Sequence, residues 1–129
     1  MIPMSLEIFP LETSGRYSWK IVYDTSARNY ELVVMDSAKR QFAIDEKNGI
    51  LLNCFYLGNQ LISRFEVQGS LIDVTYTMRS PDEMTMELSA GDFNHHFSTG
   101  GIAVENDSIP AIKVYEVKNV QQATLRRRR

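Results

Sequence analysis

Two histidines, one cysteine and one tryptophan are all that 129 residues hold of these types, and each shortage removes a class of explanation. The lone Cys54 excludes an intramolecular disulfide and leaves the redox compartment open. It lies in the apolar run 50–57, where a small core residue is expected. A reactive thiol needs electropositive, partly exposed surroundings, and Ile50-Leu51-Leu52-Asn53 supplies none. His95 and His96 are adjacent, so in a strand they point to opposite faces and are poorly placed to share one metal. No metal or other cofactor is expected.

Other signals are missing as well. No run of about 18 apolar residues occurs, so no membrane span is expected. There is no Gly-X-Ser-X-Gly and no strand-turn-helix elbow for a nucleophile. Ser98-Thr99-Gly100-Gly101 lacks the lysine and the helix of a phosphate-binding loop. These gaps make an enzyme the less favoured class, with no catalytic residue to name. The start, Met1-Ile2-Pro3-Met4-Ser5, has neither the basic residues nor the apolar stretch of a secretory signal. A chain trimmed of such a signal reads the same way, which leaves the compartment open.

Charge argues against nucleic acid. Setting aside the four C-terminal arginines takes the formal charge from -2 to -6, and an acidic body is ill suited to a phosphate backbone. Residues 1–125 read as a single domain, with 126–129 as a basic tail of the solvated kind. The length is ordinary for one domain with a core of its own. Oligomeric state leaves no mark on the sequence.

What is present is alternation. From Tyr17 to Tyr23, Tyr17, Trp19, Ile21 and Tyr23 share one face while Ser18 and Lys20 share the other, the period of a half-buried strand. Residues 24–29 read as a polar loop, 30–35 as a strand apolar on both sides, and 41–44 as a further strand. Asn48-Gly49 is the strongest hairpin signal and leads into a central meander of runs 51–57, 61–67, 71–78 and 84–88. Gly58-Asn59, Gln68-Gly69-Ser70 and the Pro81 loop separate them with turn chemistry. In the third run Ile72, Val74, Tyr76 and Met78 oppose Leu71, Asp73, Thr75 and Thr77; in the fourth, Met84, Met86 and Leu88 share a face. A one-residue slip would expose a whole apolar row, which pins the register.

Residues 111–117 alternate again. Residues 119–125 alternate more weakly and are read as a last strand or a fraying tail; 117–125 is also the best helical candidate, without a clear cap. The expected class is all-β, an antiparallel up-and-down meander of about 8–10 strands closing into a small barrel, because a meander this long leaves two edges exposed unless it closes.

This pattern resembles the calycin superfamily, the lipocalin and fatty-acid-binding type of meander barrel. Locally, residues 44–50 (IDEKNGI) and 57–67 (LGNQLISRFEV) resemble stretches of bacterial proteins of that type. Gly15 and Trp19 stand further apart than in the lipocalin Gly-X-Trp signature, so the resemblance is one of barrel architecture. It implies an interior that holds a small hydrophobic ligand without chemistry on it. Trp19, Tyr76 and Met86 are the expected wall residues, and Arg64 is the expected polar anchor if it faces inward beside Ile62 and Glu66; facing outward, it would be a cross-strand charge. Tyr17, Tyr23, Tyr30, Phe55, Tyr56 and Phe65 supply further aromatic surface, and Met78 and Met84 flank Met86 in one adaptable hairpin. The alternative is an interaction module with a solid core that binds a protein through loops or edge strands.

Overall fold

The computed structural model describes residues 4–126. Thirteen strands follow one another: β1 (Met4–Pro10), β2 (Arg16–Tyr23), β3 (Ser26–Asp36), β4 (Gln41–Asp45), β5 (Leu51–Leu57), β6 (Gln60–Val67), β7 (Ser70–Ser80), β8 (Glu83–Asp92), β9 (His96–Gly100), β10 (Ala103–Val104), β11 (Asp107–Ser108), β12 (Ala111–Tyr115) and β13 (Asn119–Arg126). Among the described residues there is no helix, and so none long and apolar enough to cross a membrane.

Nine strands form one antiparallel sheet in the order β1-β2-β3-β4-β5-β6-β7-β8-β13. The sheet curls until β13 comes against β1. These two strands are its unladdered ends, so the barrel is nearly closed, with a seam between them. Near the seam the Tyr23 hydroxyl donates to Gln121 Oε1 at 3.5 Å.

Turn chemistry sets the meander. Gln68 and Gly69 both take positive φ, at 46° and 81°, and join β6 to β7 with Val67 opposite Ser70, the two-residue geometry that matches strand twist. Gly58 and Asn59 connect β5 and β6 in the same minimal way. One expectation gives way here. The supposed loop 24–29 is a turn of Asp24 and Thr25 alone, because Ser26 already pairs with Tyr23. Ser26 to Asn29 are exposed strand residues, polar because that end of the hairpin has no core beneath it. The hairpin expected at Asn48-Gly49 is present and joins β4 to β5, with Asp45 opposite Leu51. The Glu46 amide donates to the Ile50 carbonyl at 3.0 Å across a longer loop, in which the Asp45 and Asn48 side chains accept from the Lys47 and Ile50 amides.

The larger departure lies after β8. The strand β12 does not continue the barrel; it pairs only with β9 in a separate two-stranded ribbon, and β10 with β11 makes a small hairpin between them. The chain then returns as β13 and pairs with β8, Ala123 opposite Met86 and Leu125 opposite Met84. Ala123 and Leu125 are buried, so residues 119–126 are the closing strand of the barrel rather than a frayed end. Arg126 belongs to that strand, while the rest of the supposed basic tail, 127–129, lies outside the described residues. The return is made over Gly91, where a Cβ would stand 1.7 Å from the Glu116 carbonyl oxygen. Only a residue without a side chain admits that crossing. The Lys118 amide then donates to the Ala90 carbonyl at 2.8 Å.

The core is Trp19, Ile44 and Cys54, with Leu6, Ile21, Tyr30, Leu32, Phe42, Leu52, Leu61 and Tyr76 packed against it. On the outside, Arg16 bridges Glu31 at 2.9 Å and Asp45 at 3.4 Å, and Lys47 reaches Glu31 at 3.2 Å. The bond from Arg16 and then that from Lys47 hold the Glu31 carboxyl below its usual range. For Asp45 the backbone amide of Lys47 acts first, with Arg16 adding to it.

Candidate functional site

Register brings the inward residues into rows. Trp19 stands opposite Ile8 and Tyr30, and Tyr76 opposite Leu61 and Met86. The Trp19 and Tyr76 rings, far apart in sequence, meet edge to face at 5.2 Å and 88°, an arrangement aromatic quadrupoles favour. Beside them lies a hollow of about 250 Å³ lined by Trp19, Leu32, Phe42, Tyr56, Leu61, Tyr76, Met78 and Met84. No lining residue carries a formal charge at neutral pH. Phe42 and Tyr56 form a second edge-to-face pair at 6.5 Å in the same wall.

A second hollow of about 260 Å³ lies at the seam, between Leu6 and Ile8 of β1, the Pro81-Asp82 turn, and Leu125 and Arg126 of β13. Met78 and Met84 face each other across the β7–β8 ladder and line both hollows. The seam hollow and the one beside the aromatic pair therefore share these two residues as lining.

The interior holds few polar atoms, and most of them have partners. The Ser63 hydroxyl donates to the Asn53 carbonyl at 3.0 Å, and the Cys54 thiol to the Leu52 carbonyl at 3.3 Å. Burial pushes that thiol up to about 11, against the lowering effect of Ser63 and the Ile44 backbone. Burial likewise pushes the Tyr76 phenol up to about 12, helped by Cys54 and offset in part by the nearby Trp19 indole. Both groups stay neutral at any ordinary pH. The exception is Trp19. It is 2% exposed, and its Nε1 is, among the described residues, the one fully buried side-chain nitrogen or oxygen without a hydrogen-bond partner. The Tyr76 hydroxyl is the group it approaches, and the indole's hydrogen-bonding influence there works against the upward shift of the phenol.

Of the residues expected to form the site, Trp19 and Tyr76 line the hollow and touch each other. Met86 is buried opposite Tyr76 and Ala123, but its neighbours Met78 and Met84 face the hollow instead. Arg64 takes the outward of its two alternatives and is not the polar anchor. Its side chain is 74% exposed and is bound to Asp73 on the adjacent strand, because alternation puts Leu61 and Ser63 inward and Arg64 outward. No cation therefore anchors a ligand from that position. Leu32, Phe42 and Leu61 were not singled out as wall residues; the inward rows contain them, but only strand pairing shows that they converge.

The two histidines go separate ways. His95 Nδ1 lies 3.2 Å from Glu116 and 3.7 Å from Asp92 where the ribbon meets the barrel, and His96 packs on Tyr115 at 5.7 Å. On the ribbon, Phe97 stands opposite Val114 and Thr99 opposite Ile112. Phe97 is 71% exposed, and Ile112 and Val114 are exposed with it, giving an apolar row outside the barrel.

Fold and site together define a nearly closed antiparallel barrel with an uncharged interior hollow. Comparison with known proteins finds no matching family model, no matching curated protein and no matching solved structure.

Proposed function

We propose that the protein is a non-enzymatic binder or carrier of a small hydrophobic ligand held inside the barrel, as the resemblance to calycin barrels implies. The observation that carries this reading is the interior hollow of about 250 Å³ beside the Trp19–Tyr76 pair. An apolar occupant of this partly open hollow would bury its wall, which is aliphatic, thioether and aromatic. A cavity of about 150 Å³ takes benzene, so by proportion this one takes roughly ten non-hydrogen atoms. That is small for a ligand site and excludes most long-chain lipids unless they extend past Met78 and Met84 into the seam.

A second reading, a protein-interaction module, draws on the exposed row Phe97, Ile112 and Val114, since contiguous apolar surface of this kind marks docking sites. The hollow interior does not suit the solid core that this reading assumed. Native mass spectrometry of freshly purified protein tests the carrier. A small added mass that is lost on denaturation is the expected result. A bare mass that stays bare after incubation with small apolar compounds would refute it.

A further inference from the structure

We infer that the hairpin running from β9 to β12 is a dimerisation arm, which packs on the outer barrel wall of a second copy of this chain while that copy's arm packs on the wall of the first. This stands apart from the reading of the interior as a ligand site. The two small ribbons are one structure. Gly100 lies opposite Ala111 and, three residues further along each strand, Ala103 lies opposite Ser108, so a single register runs from His96 and Tyr115 to the tip. Between the ribbons the Gly101 amide donates to the Ile109 carbonyl and the Ile109 amide to the Ile102 carbonyl, both at 2.9 Å. At the root Phe93 stacks on Tyr115 at 5.5 Å, and the Glu116 amide donates to the His95 carbonyl at 3.2 Å.

The arm is tied to the barrel at its root, yet it has no core of its own. From Asn94 to Val114 every described side chain is exposed, and a lone two-stranded hairpin is marginal in water. Phe97, Thr99, Ile112 and Val114 share one face, because opposed and alternate residues point the same way, and that face carries no charge. The barrel has a matching surface. On β5 the residues Leu51, Phe55 and Leu57 are exposed on the outer face, with the uncharged Asn53 between them. Arm and wall are thus both uncovered within one chain.

Area decides the occupant. At about 3.3 Å per residue and about 4.8 Å between strands, the arm presents a face of roughly 300 Å². One arm laid on one surface buries roughly 600 Å² counting both sides, the size of a packing contact, whereas a stable interface needs about 1,000 Å² or more. Two arms packed only on each other reach no further. A two-fold exchange uses the arm and the wall of both copies and buries roughly 1,200 Å². A second copy meets that need because it brings the same arm and the same uncharged wall.

Sedimentation equilibrium on the full chain from about 1 to 200 μM, a range that brackets micromolar affinity, should show dimers forming. Phe97→Asp on the arm and Phe55→Asp on the wall should each raise the dissociation constant about a hundredfold, since an interface anchor is worth about tenfold and symmetry counts each change twice. Both side chains are exposed, so both variants keep the fold, which Trp19 fluorescence verifies. Phe97→Cys chains mixed with Phe55→Cys chains and a short bismaleimide should give the mixed cross-link; Cys54 is buried and does not compete. A monomer at every concentration overturns the inference, and so does a dimer indifferent to both aspartate substitutions. Cross-linking of Phe97→Cys chains only with one another would set arm against arm and overturn the arm-on-wall assignment. The wild-type mass and the cross-link decide the matter even if an aspartate variant does not fold.

Discussion

Leu61→Phe separates a hollow barrel from a filled one by the sign of its effect on stability. Leu61 lies on β6 opposite Tyr76, packs against the core, and lines the interior hollow. Phenylalanine carries three more carbons than leucine. In a packed core, larger side chains force rotamers and backbone out of place and cost about 1–3 kcal/mol. Beside about 250 Å³ of open space the added carbons find room, and burying them is worth up to about 0.8 kcal/mol per methylene-sized group. Part of that gain is lost to imperfect contact, so a net stabilisation of about 1 kcal/mol is expected, in line with other cavity-filling changes. Urea unfolding followed by the fluorescence of buried Trp19 measures it, with an unchanged m-value showing that the unfolded state is not altered. The same variant should bind small ring compounds more weakly because it occupies their space. Destabilisation by 1 kcal/mol or more, with ligand binding intact, would refute the assignment of the hollow.

Other consequences are open to measurement. Gly91→Ala sets a methyl carbon 1.7 Å from the Glu116 carbonyl oxygen, so the β12–β13 crossing must shift; a loss of about 2 kcal/mol or more is expected in thermal unfolding, and a melting temperature equal to wild type would contradict the crossing. Cys54 and Tyr76 are raised to about 11 and about 12 by burial, so the unfolded chain loses those protons before the folded one does. Their contribution to stability is whole below about pH 8.5 and declines as pH climbs toward 12. Denaturation midpoints taken from pH 8 to 11 should fall, and a thiol reagent at pH 8 should leave the native protein unlabelled; rapid labelling would place Cys54 at the surface. Arg64→Ala removes an exposed partner of Asp73 and should leave the denaturation midpoint nearly unchanged, with affinity for interior ligands unchanged. A marked loss of binding would return Arg64 to the site.

The parts of the fold that could be read directly are those whose causes are local. Alternation in 17–23 and 71–78 reports which residues face inward, because side chains in a strand change face at every step whatever surrounds them. Gly58-Asn59 and Gln68-Gly69 mark turns because few residues take positive φ cheaply. The same local logic misread residues 24–29, where polarity came from a strand end standing clear of the core, and it left Arg64 open between two faces until the strand's inward row was known.

The sequence by itself determined an all-β chain, its hairpins in order and the inward rows that include Trp19 and Tyr76. Only the tertiary structure decided that β12 leaves the barrel, that β13 returns over Gly91 to pair with β8, and that Trp19 ends beside a hollow. The physical reason is range. Alternation and turns are properties of neighbouring residues, whereas closure and cavity volume depend on which distant strands meet and how completely their side chains fill the space between them.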